Sequence, residues 1–299
     1  MSVRVIPQED PQYPRRLFLV ERPPTQLYAD GDLGLLERPR VAIIGSRHPS
    51  PYGVRMAYEA ASALAGQGAV VVSGMAIGLD ARAHRGALDA GGGTIAVLGA
   101  GIDQDLPLQN RRLLQEVRAK GLVLSEYEPG RLPQPWMFPE RNRIIAALSQ
   151  CLLVVEGKAK GGTSNTAEWA GKVGAQLFAI PGQIDNPLST GPNFLIRDGA
   201  HVYTHPNDIL IPLGLKTLPE RGEGREERGE RIEAGEKDRK ALTGAEAEVF
   251  DLIGPKPLHV DALAAKAALE PGLLLAALSS LELQGLVTQL PGKHFALAS

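Results

Sequence analysis

The sequence predicts an α/β fold: a doubly wound, mostly parallel, Rossmann-like sheet followed by a small C-terminal winged-helix-like domain. Three observations predict it. Short β-rich runs at 41–44, 69–73, 94–98, 122–125, 152–155 and 176–180 alternate with longer helical segments, the pattern of parallel strands joined by crossover helices. Each run ends in a polar, glycine-bearing turn: GSR, SGMAIGLD, LGAGID, SEYEPG, EGKAKGGTS and IPGQ. After a charge-rich stretch, the chain ends in three helical segments and a hairpin, the order of a winged helix.

Residues 1–39 hold scattered Pro and the turn-like YADGD at 28–32, so an irregular lead-in is expected there. The sheet domain spans 40–215. In its first helix Val54, Ala57, Ala61 and Leu64 follow the three-and-four spacing that puts one face on a sheet. Residues 216–244 have almost no large apolar side chains and carry 8 Lys and Arg against 8 Asp and Glu, so they read as a charged linker. Residues 245–299 form the winged-helix-like domain. Its third helical segment, from Gly272 to Gly285, contains no Lys or Arg, which argues against the usual docking in a DNA groove.

Composition narrows the function classes. The chain has 299 residues, 43% of them hydrophobic, enough for one large core and a small one. No basic segment followed by an apolar run opens it, and no apolar stretch is long enough to cross a bilayer, so a cytoplasmic protein is expected. The lone Cys151 cannot form an intrachain disulfide and reads as a core residue, and the six His lack metal-ligand spacing. Net charge is −2, which at first argues against a nucleic-acid partner. Its distribution reverses that argument: residues 40–215 carry 16 Lys and Arg against 14 Asp and Glu, with Arg47, Arg141, Arg143, Lys158 and Lys160 in the turns.

In an open α/β sheet ligands bind outside the carboxyl ends of the strands, so the six turns are expected to line one crevice. The first lacks G-x-G-x-x-G and the second strand ends in Ser73 and Gly74 rather than an acid, which argues against NAD chemistry. No cofactor, catalytic triad, carboxylate pair or metal set is expected. At the first turn Gly45 allows a tight bend, Ser46 offers a hydroxyl, Arg47 supplies a fork for phosphate, and a helix starting near Tyr52 points its N-terminus inward. The competing role for Arg47 is pairing with a local carboxylate. At the later turn Lys158, Lys160, Gly161, Gly162, Thr163 and Ser164 combine flexible backbone, hydroxyls, two ammonium groups and a helix start, a convergence that points to an anion. Arg141, Asn142 and Arg143 precede the helical IIAALS; they face either a phosphate or acids such as Glu126 and Glu156. Tyr127, Trp136 and Phe138 crowd the same approach, as bases' stacking partners or as core and lid. Asp80 and His84 are expected in capping and helix packing.

Read in order, VAIIGSRHPSPYG, SGMAIGLDARAHRGAL, TIAVLGAGIDQDLPLQN, SEYEPG, FPERNRIIAALS, VVEGKAKGGTSNTAEWA, FAIPG and NPLSTGPNFLIRDGA resemble the DNA-processing protein A (DprA, or Smf) family of bacterial transformation, over roughly residues 13–205. The resemblance implies a homodimeric single-stranded DNA binder, not an enzyme, that protects incoming DNA and loads the RecA recombinase onto it. By position it assigns DNA contact to Arg47 and Lys158, and extends it to Gly45, Ser46, Arg141, Asn142, Arg143, Lys160, Gly161, Gly162 and Thr163. It assigns self-association to the region of Phe194, Leu195 and Ile196. The chain departs from the family in its acidic tail, in GGT where SGS is commoner, and in lacking the helical domain that precedes the sheet in many relatives. The alternative is a nucleotide-binding hydrolase of the lysine-decarboxylase-like phosphoribohydrolase type, whose P-G-G-x-G-T-x-x-E signature is partly matched by KGGTSNTAE at 160–168. Both glycines and Glu168 match, whereas Lys160, Ser164 and Asn165 do not.

Overall fold

The computed structural model describes residues 3–219, 242, 244–253, 258–267, 269–284, 286–290 and 293–297. Most of the charged linker expected over 216–244 lies outside the described residues. The chain divides into two units, Met1–Leu218 and Pro219–Ser299.

Among the described residues of the first unit, nine strands form one sheet: β1 (Arg4–Pro7), β2 (Gln26–Gly31), β3 (Arg40–Ile44), β4 (Val70–Ser73), β5 (Thr94–Val97), β6 (Leu122–Ser125), β7 (Cys151–Val154), β8 (Gln176–Ala179) and β9 (His201–Val202). Their order is β1-β2-β6-β5-β4-β3-β7-β8-β9. From β6 through β9 all pairs are parallel. The helices are α1 (Pro51–Gly66), α2 (Leu79–Asp89), α3 (Arg111–Lys120), α4 (Met137–Leu148), α5 (Gly162–Lys172), α6 (Thr190–Arg197) and the short α7 (Asn207–Leu210).

The strands are apolar on both faces because helices cover both. On β3, Ala42 and Ile44 join the core under α4 and α5, while Val41 and Ile43 join the core under α1 and α2. The period of two along a strand divides those residues between the faces. Ala57, Ala61 and Leu64 of α1 are fully buried, and Cys151 of β7 is buried in the same layer.

The expected irregular lead-in is instead part of the sheet. β2 pairs antiparallel with β6, Tyr28 opposite Ser125 and Gly31 opposite Leu122, and β1 pairs antiparallel with β2. The segment YADGD is thus largely strand. Ile6, Leu27 and Ala29 reach the core, burial that outweighs the turn propensity of the segment. Arg16 also ties the lead-in to α4, donating from Nε to Ala147 O at 3.0 Å and from Nη2 to Ser149 O at 3.1 Å. Those carbonyls lie at the end of α4, where the helix provides no partner.

The second unit contains α8 (Ala245–Leu252), β10 (Leu258–His259), α9 (Val260–Lys266), α10 (Pro271–Leu283), β11 (Val287–Leu290) and β12 (His294–Leu297). β12 lies between β10 and β11. Val249, Leu263, Leu274, Leu278, Leu281 and Phe295 make its core, completing a winged helix.

Candidate functional site

The chain reverses direction across the sheet at β3. β4, β5 and β6 add on one side, and β7 and β8 on the other. Loops leaving β3 and β7 therefore diverge at a switch point, where an open α/β sheet forms its ligand crevice. A crevice of about 420 Å³ opens there, and Arg47, Lys158, Lys160, Gly161, Gly162 and Thr163 line it. The two basic turns named in the sequence meet in one site.

Two glycines make that meeting possible. A Cβ on Gly45 would lie 2.3 Å from Leu79 Cδ1 and 2.9 Å from Glu156 O, so only glycine lets the end of β3 sit against the exit of β7. Gly78 has φ 87° and its Cβ would lie 2.4 Å from Ser46 O. Leu79 N donates to that carbonyl at 3.1 Å, and His48 N donates to Ser46 Oγ at 3.1 Å, which fixes the turn that presents Arg47. Arg47, Lys158 and Lys160 are exposed at the crevice.

The two helix N-termini differ. The expectation that α1 offers its N-terminus to an anion is corrected by the structure. Ser50 Oγ accepts from Gly53 N at 3.1 Å, while the Glu156 carboxylate accepts from Ser50 N at 2.9 Å and from Ser50 Oγ at 2.5 Å. Glu156 is 2% exposed and Gly53 is pressed against it. The positive end of α1 is thus occupied by a carboxylate of the chain itself. At α5, Gly161 is the N-cap residue and provides no side-chain cap. The first-turn N–H groups of α5 and its helix dipole face a crevice bordered by two lysines, the arrangement that holds an oxyanion. Ser164 Oγ donates back to Ala159 O at 2.7 Å, holding the Lys158–Lys160 turn against the helix.

The Arg141–Arg143 cluster lies inside α4 rather than before a helix, because α4 starts at Met137. Pro139 is accommodated in the first turn, where its missing N–H has no helical acceptor to lose. The three side chains take different positions. Arg141 lines the crevice but is 4% exposed, and its Nη1 donates to Gly74 O at 2.6 Å. Burial lowers its pKa to about 10, so it remains a cation at neutral pH. Asp80, buried beside it, accepts from Gly74 N at 3.1 Å and Ala76 N at 3.4 Å, which fixes the turn after β4. Asn142 also lines the crevice, donating to Gly162 O at 3.4 Å. Arg143 does not reach it. Its Nη2 lies 2.6 Å from Glu126 Oε2 and its Nε 3.3 Å from Glu140 Oε1, so its charge is neutralised within the protein.

Sequence reasoning missed an apolar cavity of about 370 Å³ that shares Arg47 and Arg141 with the crevice and is walled by Met75, Leu98, Leu106 and Phe138. Met75 has φ 57°, a conformation unusual for a side chain of its size, and Asn110 Nδ2 holds it by donating to Met75 O at 2.9 Å. The positive φ has no local sequence signal, since glycine is the residue that advertises it. Arg47 Cζ lies 5.5 Å from the Phe138 ring centroid, and Trp136, 54% exposed, packs edge-on to Tyr127.

Fold and site together define an α/β protein with a basic crevice at the switch point of its sheet and a winged helix after it. The family described as DNA recombination-mediator protein A matches residues 4–214, and the DprA winged helix domain matches residues 234–293. A protein named Smf from Synechocystis sp. is 36% identical over 313 residues, covering 96% of this chain and 78% of the relative. The X-ray structure of DNA processing protein A from Streptococcus pneumoniae is similar at TM-score 0.68 and 39% identity, over 73% of this chain and 76% of that one. DNA processing protein A from Helicobacter pylori, whose structure is described as giving insights into its unique single-stranded DNA binding mode, is similar at TM-score 0.65 and 32% identity, over 71% of this chain and 96% of that one. The chain belongs to the DNA recombination-mediator protein A family. Among the described residues, no single helix is long and apolar enough to cross a membrane.

Proposed function

We propose that this chain binds single-stranded DNA in the switch-point crevice, protects incoming DNA during natural transformation, and loads the RecA recombinase onto it. The observation that carries the reading is the convergence of Arg47, Lys158 and Lys160 on the uncapped N-terminus of α5. Backbone phosphates sit there, held by charge and by first-turn N–H groups, with Gly45, Ser46, Gly161, Gly162, Thr163 and Asn142 shaping the seat. Arg141 adds fixed positive charge from below. Arg143 is left out of the contact set because Glu126 and Glu140 hold it. A crevice of about 420 Å³ at the strand ends suits a single strand, and duplex DNA is expected to bind it more weakly. Titrating fluorescent single-stranded and duplex oligonucleotides at two salt concentrations tests this. Preferential single-strand binding that the Arg47→Glu, Lys158→Glu double variant abolishes is the expected result; equal binding by both proteins would refute it.

Self-association through α6 is part of the same proposal. Phe194 is 45% exposed, while Leu195 and Ile196 pack partly against the core, so Phe194 is the anchor available to a second copy. The hydrolase alternative needs an acid at the site. Glu168 is instead exposed on α5, 3.2 Å from Lys172 Nζ, and does not line the crevice. Asp80, the acid that does line it, is committed to backbone N–H groups.

A further inference from the structure

One wall of the crevice is the loop at 186–191, fastened to the Lys158 turn by Gly157 N donating to Leu188 O at 2.7 Å and Gly191 N donating to Gly157 O at 2.9 Å. The same loop borders a third open cavity, of about 530 Å³, lined by Tyr52, Pro181, Gly182, Gln183, Asn186 and Ser189. The two sites adjoin along the chain at two places. His48 lines the crevice and Tyr52 the cavity; Leu188 lines the crevice and Ser189 the cavity.

This second site has a different chemistry. Among the described residues, no ammonium, guanidinium or carboxylate lines it, so it lacks the charge that concentrates phosphate in the crevice. Its one aromatic lining residue among those described is Tyr52. Tyr52 is 38% exposed, and its hydroxyl reaches Pro181 O at 3.4 Å, so the ring spans from α1 toward the loop after β8. Arg55 Cζ lies 5.8 Å from the ring centroid. The opposing loop is rigid, because Asn193 accepts from Gly182 N at 3.1 Å and donates to Gly182 O at 2.9 Å. Gln183 supplies an exposed amide, and Ile184 beside it is 94% exposed. An aromatic face with neutral amides and aliphatic surface around it suits the flat, polar-edged shape of a nucleobase.

We propose that Tyr52 is a stacking platform for a base of the single strand whose phosphates occupy the crevice, extending the footprint past Lys158. This inference rests on the proposed function. Its signature differs from that of the crevice: stacking of a base on the uncharged phenol ring adds affinity that depends little on salt, whereas the crevice's contribution falls steeply with salt.

The test uses full-length wild type, Tyr52→Ala, Tyr52→Phe and the Arg47→Glu, Lys158→Glu variant, with oligothymidines of increasing length and with 2-aminopurine placed at successive positions. In Tyr52→Ala, the affinity gained on lengthening the oligomer shrinks about tenfold, within the range for loss of one base–aromatic stack, and the salt slope stays that of the wild type. One 2-aminopurine position is quenched in wild type and in Tyr52→Phe, and is bright in Tyr52→Ala. Tryptophan-monitored unfolding of the Tyr52 variants establishes that they are folded. Equal length dependence in folded wild type and Tyr52→Ala, or quenching that survives Tyr52→Ala, overturns the platform while leaving the crevice standing. Undiminished binding by Arg47→Glu, Lys158→Glu, or none by wild type, overturns the crevice reading and the platform with it.

Discussion

The carboxylate of Glu156 decides which helix is open to an anion, and its removal has a size that follows from its contacts. It accepts two hydrogen bonds from Ser50 and is 2% exposed. Hydrogen bonds to a charged group each contribute about 1.5–3 kcal/mol, and a negative charge at a helix N-terminus up to about 2 kcal/mol when partly buried. These contributions overlap, since the same oxygens provide both, so Glu156→Ala is expected to cost about 3 kcal/mol. Urea unfolding followed by tryptophan fluorescence reads this unit specifically, because both tryptophans, Trp136 and Trp169, lie within it. With a urea m-value of about 2–3 kcal/mol/M, the midpoint falls by about 1 M with the slope unchanged. The freed α1 N-terminus then becomes a second oxyanion seat. Sodium sulfate therefore stabilises Glu156→Ala more than the wild type, relative to sodium chloride of equal ionic strength. A loss below about 0.5 kcal/mol, or the same sulfate response in both proteins, would show that the carboxylate does not hold the end of α1.

Four further outcomes follow from the same geometry. Three exposed cations at the crevice predict a salt slope near −2 for single-stranded DNA, a loss of about 20-fold between 50 and 200 mM salt, falling to about threefold in Arg47→Ala, Lys158→Ala; parallel slopes would contradict this. Arg143→Ala leaves the half-buried Glu126 without its partner, so unfolding free energy falls by about 2 kcal/mol while single-strand affinity of the folded protein stays within about twofold of wild type; a large affinity loss would return Arg143 to the contact set. Gly78→Ala combines a strained positive φ with a clash against Ser46 O, and both stability, by about 2 kcal/mol, and DNA affinity are expected to drop together. Burial pushes the His84 imidazole down to about 3, so it stays neutral in the fold while the unfolded chain protonates near pH 6.5. The unfolded state then binds more protons between those values, and stability falls as pH drops, by about 2 kcal/mol from this group at pH 5; His84→Asn should lose that share of the pH dependence in urea titrations.

Local pattern carried the parallel sheet because each central strand is a short apolar run closed by its own glycine turn. It could not carry β1 and β2. Their short segments contain Pro7 and Gly31, and their pairing is set by β6, far along the chain, so no nearby residue announces it. The start of α4 is hidden for a related reason: Pro139 reads as a breaker, yet it falls in the one turn of a helix that tolerates it. The crevice was legible because glycine, lysine and arginine concentrate in turns that the topology joins. The division of labour among Arg141, Asn142 and Arg143 was not. Three adjacent residues on a helix point about 100° apart, so one side chain reaches the strand ends and another reaches Glu126, and only the packed structure distinguishes them. Glu156 reads as a candidate partner for the arginines; its partner in the fold is Ser50, presented by a helix that begins on the other side of the switch point.

In the proposed binding mode, backbone phosphate seats between Arg47, Lys158 and the open end of α5. A crystal structure of the full chain with a short oligothymidine measures it directly. The expected result is a phosphate oxygen within hydrogen-bonding distance of the first-turn N–H groups at residues 162–164, with Arg47 and Lys158 flanking it. A strand bound on α10 of the winged helix, with the crevice empty, would contradict it.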